Sequence, residues 1–181
     1  MSGTSAQTVA SELRKRLPGV GAKKVHKLLY YCQGHHLATF GRPLFVESIS
    51  AWDMGPVVGA FWYADKDGSP GPGVAISDEA ILNTIGYVVS RYGNLTGGDL
   101  ERLTRAEDPW RDADQVRPEH GSVRIPNDDI ERFFRSNAAD PEDCDVDAAE
   151  LQAWLRRSSP DRPTASLDTV ESILARGRSH G

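Results

Sequence analysis

Apolar positions recur along most of this chain at helical rather than strand spacing. Ala6, Val9, Ala10, Leu13 and Leu17 predict a first helix, which Pro18-Gly19 stops. Arg14, Lys15 and Arg16 stand near its C-terminal end, where positive charge suits the helix dipole. Val25, Leu28, Leu29, Cys32, His36, Leu37 and Phe40 trace a second, broader stripe. Gly41 follows as a C-terminal cap, and Pro43 prevents the helix from continuing. The piece from Phe45 to Trp52 alternates imperfectly, which predicts a short strand or bridge. Pro56 has no N–H to donate and fits the first turn of a helix over Val57, Val58, Phe61 and Trp62.

Residues Asp65 to Gly73 are dense in Asp, Gly and Pro and read as an exposed loop. Ser77 or Asp78 caps the next helix, whose Ala80, Ile81, Ile85, Val88, Val89 and Tyr92 form a core stripe ended by Gly93. Thr96 opens another helix, with Asp99 three positions on in capping-box spacing. Leu100 and Leu103 supply its inner face and Pro109 ends it. Residues Asp112 to Gly121 read as a polar loop, followed by an extended Val123–Ile125. Asn127 or Asp128 caps a helix containing Ile130, Phe133 and Phe134.

From Ala138 to Glu150 there are six acidic residues and no basic one, a break in composition. Two helix-like segments follow, Ala148 to Arg157 and Leu167 to Arg176. The pattern therefore predicts a mainly α fold. A compact helical domain with short β-strands covers residues 1–137, and an acidic linker with a C-terminal helical extension covers 138–181. The extension either packs on the domain or reaches a partner.

Composition narrows the class. The net charge of -5 argues against a protein that coats nucleic acid through a global basic field. No run approaches the roughly 18 apolar residues of a membrane helix. The opening Met-Ser-Gly-Thr-Ser-Ala-Gln has neither a basic nor an apolar signal region, and Cys32 and Cys144 form no disulfide framework. A cytoplasmic protein is expected.

Candidate chemistry is sparse. His26, Cys32, His35 and His36 share one helix, and Cys32 and His36 stand one turn apart, a reachable spacing for two metal ligands. No second pair completes the set, so both read as members of the apolar stripe. Glu107 and Asp108 are adjacent carboxylates on a helix end and point apart; Glu107 instead suits acceptance of hydrogen bonds from buried backbone or from Tyr and Trp donors. No nucleophile–base pair and no phosphate-binding glycine loop can be named, so no cofactor and no enzymatic activity are expected. Six basic residues and one acidic lie between Ser11 and Lys27. Lysines dominate near the helix start, which suits phosphate or an acidic protein surface better than base edges.

Four ordered motifs carry a resemblance. They are Lys27-Leu28-Leu29-Tyr30-Tyr31-Cys32-Gln33-Gly34 with Gly41-Arg42-Pro43-Leu44-Phe45, then Ile49 to Val58 around Trp52-Asp53-Met54-Gly55-Pro56, then Tyr92 to Thr96, and Leu103 to Trp110. Ile125 to Ile130 closes the series. Together they resemble the Panacea domain of SocA-type antitoxins and phage-associated GepA-like proteins, from about Ala6 to Phe134. Arg105 stands where the family usually has histidine, and His35 where an aromatic is commoner.

The resemblance implies a mainly helical fold with short strands and the antitoxin of a type II toxin–antitoxin or phage-defence module. Neutralisation would proceed by direct protein contact with a cognate toxin, in some cases an alarmone-synthetase-like translation inhibitor. The alternatives are an adaptor that delivers the toxin to the ClpXP protease, or a regulator binding its own operator DNA. No cofactor comes with the family. Three surfaces are candidates for the partner: the basic face of Arg14, Lys23, Lys24 and Lys27; the edge around Tyr31, His35 and Arg42; and Trp154 with Leu155 in the extension.

Overall fold

The computed structural model describes residues 4–68 and 73–138. Their elements run α1 (Ala6–Arg16), α2 (Ala22–Phe40), β1 (Ile49–Trp52), β2 (Gly55–Val58), α3 (Gly59–Lys66), α4 (Glu79–Tyr92), α5 (Gly97–Ala106), α6 (Asp108–Gln115), β3 (Val123–Ile125) and α7 (Asn127–Ser136). The mainly α fold with short strands is what the spacing predicts. The expected extension, with Trp154 and Leu155, lies outside the described residues.

Helix α2 is the axis of the fold. It packs against α1, α4, α5, α7 and β2, and Val25, Leu28, Leu29, Tyr30 and Cys32 are wholly buried. Its end is set locally: Gly41 takes a left-handed φ of 64° and its N–H bonds back to the Leu37 carbonyl. Gly34, mid-helix, leaves the space into which the Phe134 ring of α7 inserts. Asp78 caps α4 through the Ala80 N–H at 2.9 Å. Thr96 and Asp99 complete the capping box of α5 in both directions.

The strands make one antiparallel sheet in the order β2-β1-β3. Ile49 faces both Val58 and Ile125, so β1 is central. Three expectations are corrected here. Pro56 does not start a helix; it lies in the edge strand β2 opposite Ala51, and the helix begins at Gly59. An edge strand tolerates proline when its missing N–H would face away from the neighbour. The Pro56 carbonyl, on that same outward side, is taken by a lysine. Pro109 likewise does not simply end α5. It sits in the first turn of α6, where no N–H is needed, so helix occupies Asp112 to Gln115 in place of loop. Helix α7 starts at Asn127 with Pro126 as its cap residue, and neither Asn127 nor Asp128 supplies a side-chain cap.

Candidate functional site

Helix α2 turns several polar side chains inward, and long-range partners hold them. Lys27 is 1 % exposed, and its Nζ donates to the Pro56 carbonyl at 3.0 Å. Burial lowers its pKa to about 7, with the Glu101 carboxylate opposing the shift. Gly55, at φ 98°, comes so near that an added Cβ would lie 3.1 Å from Lys27 Nζ and from Thr104 Oγ1. That close approach is what the Gly-Pro pair provides.

Gln33 fastens the segment after the helix. Its Oε1 accepts from the N–H groups of Leu44 at 2.9 Å and Phe45 at 3.2 Å, while its Nε2 donates to the Phe45 carbonyl at 3.1 Å. His36 Nδ1 lies 2.9 Å from Thr84 Oγ1. That hydroxyl donates to the Ala80 carbonyl, which leaves the ring nitrogen as donor. His26 Nδ1 accepts the Val58 N–H at 3.4 Å, so the proton of the neutral ring sits on the buried Nε2. Burial chiefly lowers the His26 pKa to about 4.

Below them lies an acidic–aromatic cluster. Tyr31 Oη donates to Glu107 Oε1 at 2.7 Å. The Tyr31 ring stacks on Tyr92 with centroids 3.9 Å apart, and Tyr92 Oη is 2.9 Å from His35 Nε2. Burial raises the Glu107 pKa to about 7, opposed chiefly by the hydrogen bond from Tyr31. Tyr30 Oη and Glu107 Oε2 make no hydrogen bond of good geometry, although the two groups perturb each other's acidity. Burial chiefly lowers the His35 pKa to about 3, with Arg91 adding to the effect. Burial likewise raises the Cys32 thiol far above its usual range. These groups sit inside the protein and act on one another. Among the described residues, no three or more His, Cys, Asp or Glu converge to hold a metal.

The predicted partner residues separate into buried and exposed sets. Lys27 and Tyr31 are corrected: both are buried, Lys27 against Pro56 and Tyr31 against Glu107, so neither presents its side chain to a partner. His35 is half-buried among Tyr31, Tyr87, Tyr92 and Phe134. The remaining cations stay nearer the surface but are engaged within the chain. Arg14 pairs with Asp65 at 2.8 Å, Lys23 with Glu101 at 2.8 Å and Arg42 with Asp78 at 3.8 Å. Lys24 donates to the Gly93 carbonyl at 2.5 Å. The basic run therefore stitches α1 and α2 to α3 and α5.

Sequence reasoning passed over the Gln33 clamp and the linking role of Tyr92. A lone amide within an apolar stripe was the available signal for the first. It also passed over Met54, 38 % exposed in the turn after Trp52, and Tyr63, 63 % exposed with its ring 6.4 Å from that of Trp52. Trp110 gives its indole N–H to the Trp52 carbonyl at 3.1 Å, which ties α6 to β1.

Residues 25–111 match the family model for the antitoxin SocA-like, Panacea domain. The chain carries a Panacea domain. The match begins in α2 and ends in α6, so it takes in the Tyr31–Glu107 pair, the Lys27–Pro56 contact and the Gln33 clamp. These interactions hold the Panacea elements in register. No curated protein and no solved structure matches the chain. No helix among the described residues is long and apolar enough to cross a membrane.

Proposed function

We propose that this protein is the antitoxin of a two-gene module and neutralises its toxin by direct protein contact. The observation that carries the reading is the Panacea domain itself, an antitoxin domain spanning residues 25–111. The interior supports a binding scaffold rather than an enzyme. Its perturbed groups, Lys27, Tyr31, His35 and Glu107, are engaged with one another or with backbone, and they pin the helices in one geometry. A rigid surface binds with less loss of conformational freedom than a mobile one. The engagement of Arg14, Lys23, Lys24 and Lys27 with intrachain acceptors favours a protein partner over operator DNA, where free cations would meet phosphate.

The test is a growth assay with the protein encoded beside this chain. Expressed alone, that neighbour should arrest growth, and co-expression of this chain should restore it. Unimpaired growth with the neighbour alone would refute the reading. Repeating the rescue in cells lacking ClpXP separates occlusion from delivery: rescue without the protease supports occlusion, and loss of rescue supports an adaptor.

A further inference from the structure

A group of aromatic side chains reaches the surface where the end of β1 meets α3, and the sequence did not nominate it. Trp52 ends β1, and its ring meets Trp62 of α3 edge-on at 5.9 Å and Tyr63 at 6.4 Å. Met54, at the tip of the β1–β2 turn, is 38 % exposed, and Tyr63 is 63 % exposed. The ledge is held from behind. Trp52 Nε1 donates to Ser122 Oγ at 3.0 Å, and the Trp52 carbonyl accepts from the Trp110 indole. The inner side of Trp62 rests on His26 at 5.6 Å. Large aromatics whose rotamers are already fixed are the usual anchors of protein interfaces, because little freedom remains to be lost on binding.

The charge beside this ledge has one sign in excess. Asp53, between Trp52 and Met54, bonds to Arg117 at 2.6 Å and to His120 at 2.9 Å. Arg117 also binds Asp114 at 2.7 Å, and Glu119 lies 3.7 Å from His120 with its side chain 92 % exposed. Two carboxylates therefore share one guanidinium, and a third, on Glu119, stands beside His120. Such a rim repels nucleic acid and attracts cationic side chains, and cations also sit favourably over Trp and Tyr rings.

We propose that the ledge of Trp52, Met54, Trp62 and Tyr63 is the toxin-binding surface, and that it receives a segment of the toxin carrying Lys or Arg beside apolar side chains. This rests on the antitoxin reading above. The experiment measures the affinity of the purified full chain for the purified product of the adjacent gene. Wild type is compared with Tyr63→Ala, Met54→Ala, Glu119→Lys and Lys23→Glu, and thermal unfolding of each variant serves as the folding control. Tyr63 and Met54 are exposed, so their truncation should leave the fold intact while weakening binding about tenfold or more. Glu119→Lys should slow association and reduce its salt dependence. If wild type does not bind, the antitoxin reading itself falls. If wild type binds and Tyr63→Ala and Met54→Ala bind as tightly, the ledge is not the interface. Loss of binding on Lys23→Glu alone would place the contact on the basic face instead. A dimer of the chain alone that dissociates on Tyr63→Ala would assign the ledge to a second copy and overturn the toxin as its occupant.

Discussion

Tyr31 Oη donates a 2.7 Å hydrogen bond to Glu107 Oε1, joining the central helix α2 to the junction of α5 and α6 across 76 positions of sequence. The carboxyl is buried, and its pKa is raised from 4.5 to about 7. The folded protein therefore holds this proton more tightly than the unfolded chain. The resulting stability is fully present below pH 4.5 and is lost as pH rises through about 7. Glu107→Gln should remove this loss, which is on the order of 3 kcal/mol. Tyr31→Phe should cost about 2 kcal/mol when the carboxylate is charged and less when it is protonated. Urea unfolding of wild type and both variants from pH 5 to 8 checks both expectations. Parallel pH profiles for wild type and Glu107→Gln would contradict them.

The histidines act in the opposite sense. Burial lowers the His35 pKa from 6.5 to about 3, so the unfolded chain binds that proton first. Its contribution is present above pH 6.5 and is lost as pH falls toward 3. His35→Gln should flatten the acid limb of the stability profile below pH 6, measured by the same unfolding series. An unchanged acid limb would show that His35 accepts its proton without disturbing Tyr92.

The crossing of α2 and α7 depends on Gly34. A Cβ there would run into the Phe134 ring, so Gly34→Ala should destabilise the protein by roughly 1–3 kcal/mol. Phe134→Ala opens the same space, and the double variant should cost less than the sum of the two single changes. Strict additivity in a thermal-unfolding cycle would mean that the two positions do not meet.

Gly55 carries a different strain. Its φ of 98° excludes ordinary side chains, and a Cβ would press on Lys27 and Thr104 at 3.1 Å. Gly55→Ala should cost roughly 1–3 kcal/mol in denaturant unfolding. A neutral result would show that the β1–β2 turn relaxes independently of the buried lysine.

Much of the fold was legible because its signals are local. The Gly41 cap, the Asp78 cap and the Thr96–Asp99 box each depend on residues within one turn, and the structure places them as the spacing predicts. The two proline misreadings have a common cause. A missing N–H suits a helix start and the outward side of an edge strand equally well, so Pro56 is ambiguous until β1 is seen beside it. The same missing N–H lets Pro109 begin a helix as readily as end one. Burial was the least legible property. Lys27 and Tyr31 look like surface residues because their partners, Pro56 and Glu107, lie 29 and 76 positions away. For Glu107 the residue type pointed the right way: of two adjacent carboxylates it suits acceptance of hydrogen bonds from backbone or from Tyr and Trp donors, and Tyr31 is its donor.

On the proposed function, a preformed Panacea domain binds a toxin directly, without catalysis and without a third component. Isothermal titration of the purified chain into the purified product of the adjacent gene, with no protease and no nucleic acid present, tests it most directly. Saturable binding at a defined stoichiometry is expected, with a complex that co-elutes on gel filtration. Absence of heat and of co-elution, for a neighbour that arrests growth when expressed alone, would contradict it.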